Sequence, residues 1–407
     1  MPDRPALSVC MIVKNEAEAL PRCLGSVQGV AALETVVVDT GSTDGTPQIA
    51  ATLGAKMIAF DWADDFAAAR NASLAAATGD WILVIDADET LTAAGRTYLQ
   101  QLLAECSAAG SAASLLLVTW LRQELNARQA PYTQVARLFR NHPAIQFEQP
   151  YHETVDRSVE AVIAAEPSWQ IAQTDIVAMT HTGYTPAAIA AQHKFERAQR
   201  LLEQALAQSP QAALYNKLGA LYGEQGDWAK SLSLLEQGLS QPECDPITYA
   251  ELCHHAGMAC RHLNQPARAL AYYQRALASS VLPQLKLGTY INLGSLLKQQ
   301  GQLEAAIDAF TAALCIDDSL PVVHYNLGVA QRARGQLAAA IAAYQKAIEL
   351  DPSYAEAYQN LGVSQFKLGR LPQSAVAFQT AIALYQQQGN QIAASKLRQG
   401  LQQLGVQ

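Results

Sequence analysis

Trp81-Ile-Leu-Val-Ile-Asp-Ala-Asp-Glu89 is a short apolar run, preceded by Thr78-Gly79-Asp80, that ends in two acids separated by one small residue. Its length, its β-branched content and the Gly-Asp lead-in favour a buried strand over a helix, which places Asp86 and Asp88 at the strand's carboxyl end. Ligands of open α/β sheets collect at that edge. Two carboxylates so spaced can share a hard divalent cation that fills the rest of its shell with phosphate oxygens and water. A polar turn that happens to contain Asp-x-Asp is the plain alternative, and the neighbouring sequence has to decide between them.

Upstream, apolar strands at 7–13, 34–39 and 56–60 alternate with helical stretches at 18–27, 46–53 and 66–77, the second opened by Thr46-Pro47. Strand and helix in alternation imply a parallel α/β sheet. After a helix at 93–107 come strands at 113–120, 133–139 and 176–179 without long helices between them, which predicts a mixed extension of the sheet. The turn after the first strand is Lys14-Asn15-Glu16, with no Gly-x-Gly-x-x-Gly run, and this argues against a nicotinamide cofactor.

Beyond about residue 186 the strands stop and an internal repeat begins. Its register glycines are Gly219, Gly257, Gly294, Gly328 and Gly362, the last three spaced by 34 residues, the period of tetratricopeptide repeats. Leu327, Ala340, Tyr344, Ala347 and Pro352 surround Gly328 as that helical hairpin requires, with the aromatics expected to fill the gap to the next hairpin. The organisation expected is a catalytic domain over 1–185, a connecting helix or half repeat over 186–211, about five repeats over 212–388 and a capping helix over 389–407. Cys253, His254, His255, Cys260 and His262 suggest a zinc site, but Cys253 and Cys260 occupy inter-helix packing positions and read as buried thiols.

The 407 residues carry a net charge of -8 with pI near 5.5, and no basic stretch offsets it, which argues against a nucleic-acid partner. Seven scattered cysteines without a Cys-x-x-Cys pair suit reduced thiols. No basic-then-apolar leader opens the sequence, and no apolar window approaches the ~18 residues of a transmembrane segment. A cytoplasmic protein is expected, peripheral association with a membrane being left open.

Met11-Ile12-Val13-Lys14-Asn15-Glu16, Val36-Val37-Val38-Asp39-Thr40-Gly41-Ser42-Thr43-Asp44-Gly45-Thr46 and Asp86-Ala87-Asp88 together resemble glycosyltransferase family 2, over roughly the first 185 residues. The resemblance implies an α/β GT-A fold, followed here by an all-α tetratricopeptide-repeat solenoid, and an inverting transfer from a nucleotide-sugar donor, a UDP-sugar first among them. It implies that Asp39 contacts the base or ribose, that Asp88 meets a Mg²⁺ or Mn²⁺ ion, and that Asp86 reaches the donor sugar, ribose or a metal-bound water. Asn15 and Arg70 would join the donor site. Turn capping by Asp39 and an acid-paired surface Arg70 are the structural alternatives. Asp44, just before a helix, reads as structural first.

Phe147-Glu148-Gln149-Pro150-Tyr151-His152-Glu153 resembles the family segment that ends in a His-Glu pair, which implies Glu153 as catalytic base with Glu148 as the alternative. Gln149-Pro150 departs from that pattern, where a glycine is expected before the histidine. Thr180-His181-Thr182-Gly183-Tyr184 resembles the late histidine segment, implying His181 as a metal or phosphate ligand, against the alternative of a core histidine. Asn292, Asn326 and Asn360 each precede a register glycine by two residues and would align along the stacked hairpins as a possible peptide groove, similar to the asparagine ladder of tetratricopeptide-bearing protein O-glycosyltransferases. The expected acceptor is a protein, a lipid-linked glycan or a polysaccharide, with the repeats binding acceptor or partner. The rival reading is a non-catalytic tetratricopeptide adaptor with a degenerate transferase domain.

Overall fold

The computed structural model describes residues 7–30, 32–107, 114–125, 131–149, 153–182 and 192–403. Its chain divides into two compact units, Met1–Glu224 and Gln225–Gln407.

In the first unit, β1 (Leu7–Val13), α1 (Leu20–Val27), β2 (Ala32–Asp39), α2 (Thr46–Thr52), β3 (Lys56–Ala59), α3 (Phe66–Ala76) and β4 (Trp81–Val84) follow one another as the hydrophobic pattern requires. Then come β5 (Glu89–Leu91), α4 (Ala93–Ser107), β6 (Leu115–Glu124), β7 (Tyr132–Arg140), α5 (Asp156–Ala165) and β8 (Gln170–His181). The eight strands form one sheet in the order β3-β2-β1-β4-β7-β6-β8-β5. β1, β2, β3 and β4 pair in parallel, whereas β4/β7, β7/β6 and β8/β5 are antiparallel. Every residue of β4 is buried, since helices cover both sheet faces. Leu20, Leu24 and Val27 of α1 and Leu99, Leu102 and Leu103 of α4 pack on one face. Ala67 of α3 and Val159 and Val162 of α5 pack on the other.

Two elements exceed the sequence reading. The strand expected at 176–179 runs over twelve residues as β8, whose first half is polar and largely exposed, so no apolar run announces it. Glu89, which the sequence places in a loop after the acids, instead starts β5 and is fully buried. At the start of α4, Gly95 lies so close to β8 that a Cβ there would be 2.2 Å from the Ala178 carbonyl oxygen. Two helices, α6 (Gln192–Gln208) and α7 (Ala212–Glu224), complete this unit.

The second unit is helical throughout its described residues. It starts with α8 (Trp228–Leu239) and continues in hairpins: α9 (Pro246–His262) with α10 (Pro266–Ala278), α11 (Pro283–Gln299) with α12 (Leu303–Ile316), α13 (Pro321–Ala333) with α14 (Leu337–Leu350), and α15 (Ala355–Lys367) with α16 (Leu371–Gln387). α17 (Gln391–Gln403) packs on α16. The register glycines seat an aromatic of their own hairpin rather than of the next one. A Cβ on Gly294 would stand 2.7 Å from the Phe310 ring, and one on Gly328 2.7 Å from the Tyr344 ring. Cys253 and Cys260 are buried in α9.

His254 on α9 is also buried, with Nδ1 2.9 Å from the Thr289 hydroxyl. Burial, then the nearby His255 and Arg261, depress its pKa to about 3. The unfolded chain protonates this ring near pH ~6.5 and the folded chain does not, so its contribution to stability is complete above that pH and fades as the pH falls toward the folded value. We expect this residue to remove about 2 kcal/mol between pH ~6.5 and ~5. Urea unfolding of the full chain followed by far-UV circular dichroism checks it: His254→Gln should show a shallower acid loss than the wild type.

Candidate active site

Parallel pairing brings the carboxyl ends of β1, β2 and β4 to one sheet edge. The loops leaving β1 and β2 are stitched together there. Asn15, at φ 58°, accepts from the Thr43 N–H at 2.7 Å through its side-chain oxygen, and its own N–H donates to the Ser42 hydroxyl at 2.9 Å. The Asp39 carboxylate accepts from the N–H groups of Gly41 and Ser42 at 3.2–3.3 Å, a turn that fixes its direction at the strand end. Asp44 accepts from the Thr46 N–H at 2.9 Å and from the Ala17 N–H at 3.3 Å, so it too ties these loops.

Asp86 and Asp88 have different surroundings. Asp86 Oδ1 meets Arg70 Nη2 at 2.8 Å and Oδ2 meets Arg137 Nη2 at 2.7 Å. Burial works to raise the Asp86 pKa, and the guanidiniums of Arg137 and Arg70 more than offset it, holding the carboxyl below its ordinary range. With both oxygens engaged by arginines, Asp86 is an organising anion. Asp88 Oδ2 instead lies 3.0 Å from His181 Nε2, while His181 Nδ1 lies 2.5 Å from Glu124 Oε2. Burial lowers the pKa of His181, but the hydrogen bonds to Asp88 and Glu124 outweigh it and raise it to about 10.

Arg70 is no surface residue. Only 4 % exposed, it is carried in by α3, whose N-cap Asp65 accepts from the Ala68 N–H at 2.9 Å. Its Nε meets Glu153 Oε1 at 2.5 Å while Nη2 holds Asp86, so one guanidinium joins the strand-end acid to Glu153. Arg70 Nη1 is buried without a hydrogen-bond partner. The neighbouring Asn71 clamps the Phe147 backbone, donating to its carbonyl at 2.9 Å and accepting from its N–H at 2.8 Å. From there a small hairpin closed by Glu148 and Thr154 presents Glu153, whose side chain is 11 % exposed. Gln149, next to Glu148, has φ 72°, the left-handed conformation in which glycine is the usual residue, so the backbone there has the form that favours the expected glycine although the sequence supplies glutamine. Pro150, Tyr151, His152 and Gly183 lie outside the described residues.

Three participants had no sequence signal strong enough to single them out. Arg137 sits in a bulge of β7: Val118 pairs with Leu138 and Thr119 with Ala136, which leaves Arg137 out of register and re-aims it. Arg122 and Glu124 share one face of β6 at period two. Arg122 Nη1 meets the buried Glu89 at 2.7 Å and Nη2 meets Glu124 at 2.7 Å. Alternating charges at the end of a strand were the available clue, but that this strand end lies beside His181 follows only from the pairing of β6 with β8.

Among the described residues no cluster of three or more His, Cys, Asp or Glu side chains is arranged to enclose a metal ion. The Asp88 and His181 pair nevertheless fits a divalent cation by its chemistry: one carboxylate, one imidazole, and Glu124 behind Nδ1 as the outer carboxylate that metal-ligating histidines have. Charge agrees. Asp86, Asp88, Glu89, Glu124 and Glu153 face Arg70, Arg122, Arg137 and a protonated His181, which leaves one negative charge; an ion bound to His181 would have to displace the Nε2 proton, leaving two. In the repeat unit the asparagine amides are engaged internally. Asn326 Nδ2 donates to the Val322 carbonyl and Asn360 Nδ2 to that of Glu356, both at 2.9 Å.

Residues 8–166 match the family model "Glycosyl transferase family 2". Models of the tetratricopeptide repeat match 189–245 and 250–280, and a TPR repeat model matches 294–332 and 330–369. A TPR repeat-containing protein of Synechococcus elongatus is 43% identical over 309 residues, 76% of this chain and 75% of that protein. An uncharacterized glycosyltransferase of Rickettsia bellii is 32% identical over 155 residues, 38% of this chain and 52% of that relative. Among solved structures, MamA from Desulfovibrio magneticus RS-1 aligns at TM-score 0.40 and 23% identity, covering 44% of this chain and 96% of that one.

Proposed function

We propose a function from the premise that this chain belongs to glycosyl transferase family 2 and carries tetratricopeptide repeats: it moves a sugar, with inversion, from a nucleotide-diphosphate donor to an acceptor held or recruited by the repeats. We assign the chemistry to residues 1–185, the connection to 186–211, recognition to 212–388 and capping to 389–407. The observation that carries the reading is Arg70 bridging Asp86 at 2.8 Å and Glu153 at 2.5 Å. It brings an acid at the strand end and a largely buried carboxylate from a separate segment into one network, which supports placing a donor-side group and an acceptor-side base about one reacting centre.

In this reading Glu153 takes the acceptor proton while the acceptor oxygen attacks the anomeric carbon from the face opposite the diphosphate. Asp39 accepts from the base or ribose of a donor, a UDP-sugar first, and Asn15 holds the β1 and β2 loops in the shape that receives it. Arg70 and Arg137 keep Asp86 ionised and aimed at the sugar. Asp88 and His181 would hold Mg²⁺ or Mn²⁺, which when bound neutralises charge on the leaving diphosphate. The acceptor classes remain a protein, a lipid-linked glycan or a polysaccharide, and the cytoplasm is the proposed location; no described helix is long and apolar enough to cross a membrane.

The test is a thermal-shift screen of UDP-, GDP- and CMP-sugars with and without Mg²⁺ or Mn²⁺, followed by donor hydrolysis, since a bound ligand raises apparent stability. One nucleotide sugar should stabilise the chain in a metal-dependent way. No nucleotide sugar binding with either ion would favour the adaptor. Asp88→Asn should weaken the metal-dependent part of donor binding by at least roughly 10–100-fold, the loss that even outer partners of a metal ligand cause. A metal response unchanged in that variant would remove Asp88 from the ion site.

A further inference from the structure

The turn that starts α3, the helix of Arg70 and Asn71, is held from two sides. Asp64 has φ 59°, a left-handed conformation that non-glycine residues adopt rarely. The next residue, Asp65, caps the helix. Within the loop the Trp62 indole N–H donates to Asp64 Oδ1 at 3.0 Å, and the Trp62 and Phe66 rings meet edge to face at 4.7 Å. The other hold comes from α6. Arg200 Nη2 donates to Asp64 Oδ2 at 3.0 Å across 136 residues of chain. Arg197 Nη2 lies 2.7 Å from Asp64 Oδ1 in an ionic contact without hydrogen-bond geometry. Its guanidinium stands over both rings, 4.8 Å from the centre of Trp62 and 5.5 Å from that of Phe66.

α6 and α7 are tied as a pair: Phe195 meets Tyr222 edge to face at 6.5 Å, and the Tyr222 hydroxyl donates to Glu203 Oε1 at 2.8 Å. The turn between them reaches the other half of the network. Gln149 Nε2, beside the bridge of Glu148 and Thr154, donates to Gln211 Oε1 at 3.2 Å, and Gln211 Nε2 donates in turn to the Ser209 hydroxyl at 3.0 Å. These two helices lie where a repeat model matches from residue 189, yet they belong to the compact unit of the site. They grip it at two places, before Arg70 and beside Glu148.

We propose that α6 and α7 are positioning elements of the active site: Arg197 and Arg200 set the start of α3 and through it Arg70, while Gln211 steadies the segment that leads to Glu153. This role rests on the reading of Glu153 as base and names what aims that carboxylate. Phe66 and Arg70 stand four residues apart in one helix and share a face, so a displaced first turn moves the guanidinium with it. The two acids that Arg70 serves differ in their dependence on it. Asp86 keeps Arg137 at 2.7 Å, whereas among the described residues Arg70 is the one side-chain donor to Glu153. A misplacement of about 1 Å at a reacting group can cost about 10²-fold. Ion pairs as exposed as those of Asp64, at 44 % side-chain exposure, contribute little to stability. Turnover should therefore suffer more than folding or donor affinity.

Kinetics and hydrogen–deuterium exchange on the full chain test this, with UDP-, GDP- and CMP-sugars and Mn²⁺ as the donor set. R197Q/R200Q should lower turnover about 10–100-fold with donor KM near that of the wild type. Amide exchange should quicken in the first turn of α3 and in residues 147–149 and 153–155, while the rest of the unit exchanges as before. R197K/R200K should recover most of both effects, since lysine keeps the charge beside Asp64. The equal-charge control R268Q/R334Q, on exposed pairs with Glu236 and Glu304, should match the wild type. Unchanged exchange in both segments, faster exchange throughout the unit with a matching fall in melting temperature, or unchanged turnover in an active protein would each overturn the proposal. A wild type that hydrolyses none of the donors counts against the transferase reading, and the exchange data then decide the positioning role by themselves.

Discussion

Glu153→Gln lowers turnover by about 10²–10⁴-fold, the usual contribution of a positioned general base, and leaves donor affinity near that of the wild type. The substitution is nearly isosteric, and the amide oxygen still accepts from Arg70 Nε, now 2.5 Å from Glu153 Oε1. The Arg70 and Asp86 contact is therefore kept, and what disappears is a group able to take the acceptor proton. Steady-state kinetics with donor binding measured separately decides the matter. A variant with near wild-type turnover would remove Glu153 from the base role and turn attention to Glu148, on the same hairpin.

Arg70→Met costs roughly 3–5 kcal/mol of stability, the range for removing one partner of a buried ion pair. Arg70 is 4 % exposed and serves two acids at once, so its loss strands Glu153, at 11 % side-chain exposure, and leaves Asp86 with Arg137 alone. The guanidinium also stands 5.6 Å from the Phe147 ring centre, a contact methionine keeps only in part. The check is the melting temperature of the full chain, with Arg70→Met/Glu153→Gln as the second measurement. Removing the stranded charge should return part of the loss. If the single variant melts as the wild type does, the network is not a structural keystone and Arg70 serves ligand binding alone.

The site was partly legible in the chain. Asp86, Asp88, Asp39 and Asn15 follow apolar strands directly, so period and turn chemistry locate them without knowledge of neighbours. Glu89 misled for the same reason. An acid next to a turn looks solvated, and its full burial follows from Arg122, 33 residues away, which binds it at 2.7 Å. Arg137 escaped notice because the bulge that turns it belongs to the pairing of β6 with β7 and not to either strand alone.

The repeats illustrate the same division. Gly294 and Gly328 were marked by spacing, and each seats an aromatic sixteen positions on, Phe310 and Tyr344, within its own hairpin, a contact between neighbours in sequence. The asparagines were also visible by period, but their amides bond to their own helix or to the preceding hairpin, as with Asn326 and Lys298.

By itself the sequence determined the class of each half: β4 and its acids mean an α/β sheet with a polar carboxyl edge, and a 34-residue period means stacked helical hairpins. Both follow from local periodicity, in which each residue's place depends on its near neighbours along the chain. Tertiary structure alone decided which charges meet, separating Asp86 with its two arginines from Asp88 with His181, although one residue stands between them. The physical reason is that an ion pair is set by distances of about 3 Å between side chains on different strands and helices, and those distances arise only when strand order, register and bulges are in place.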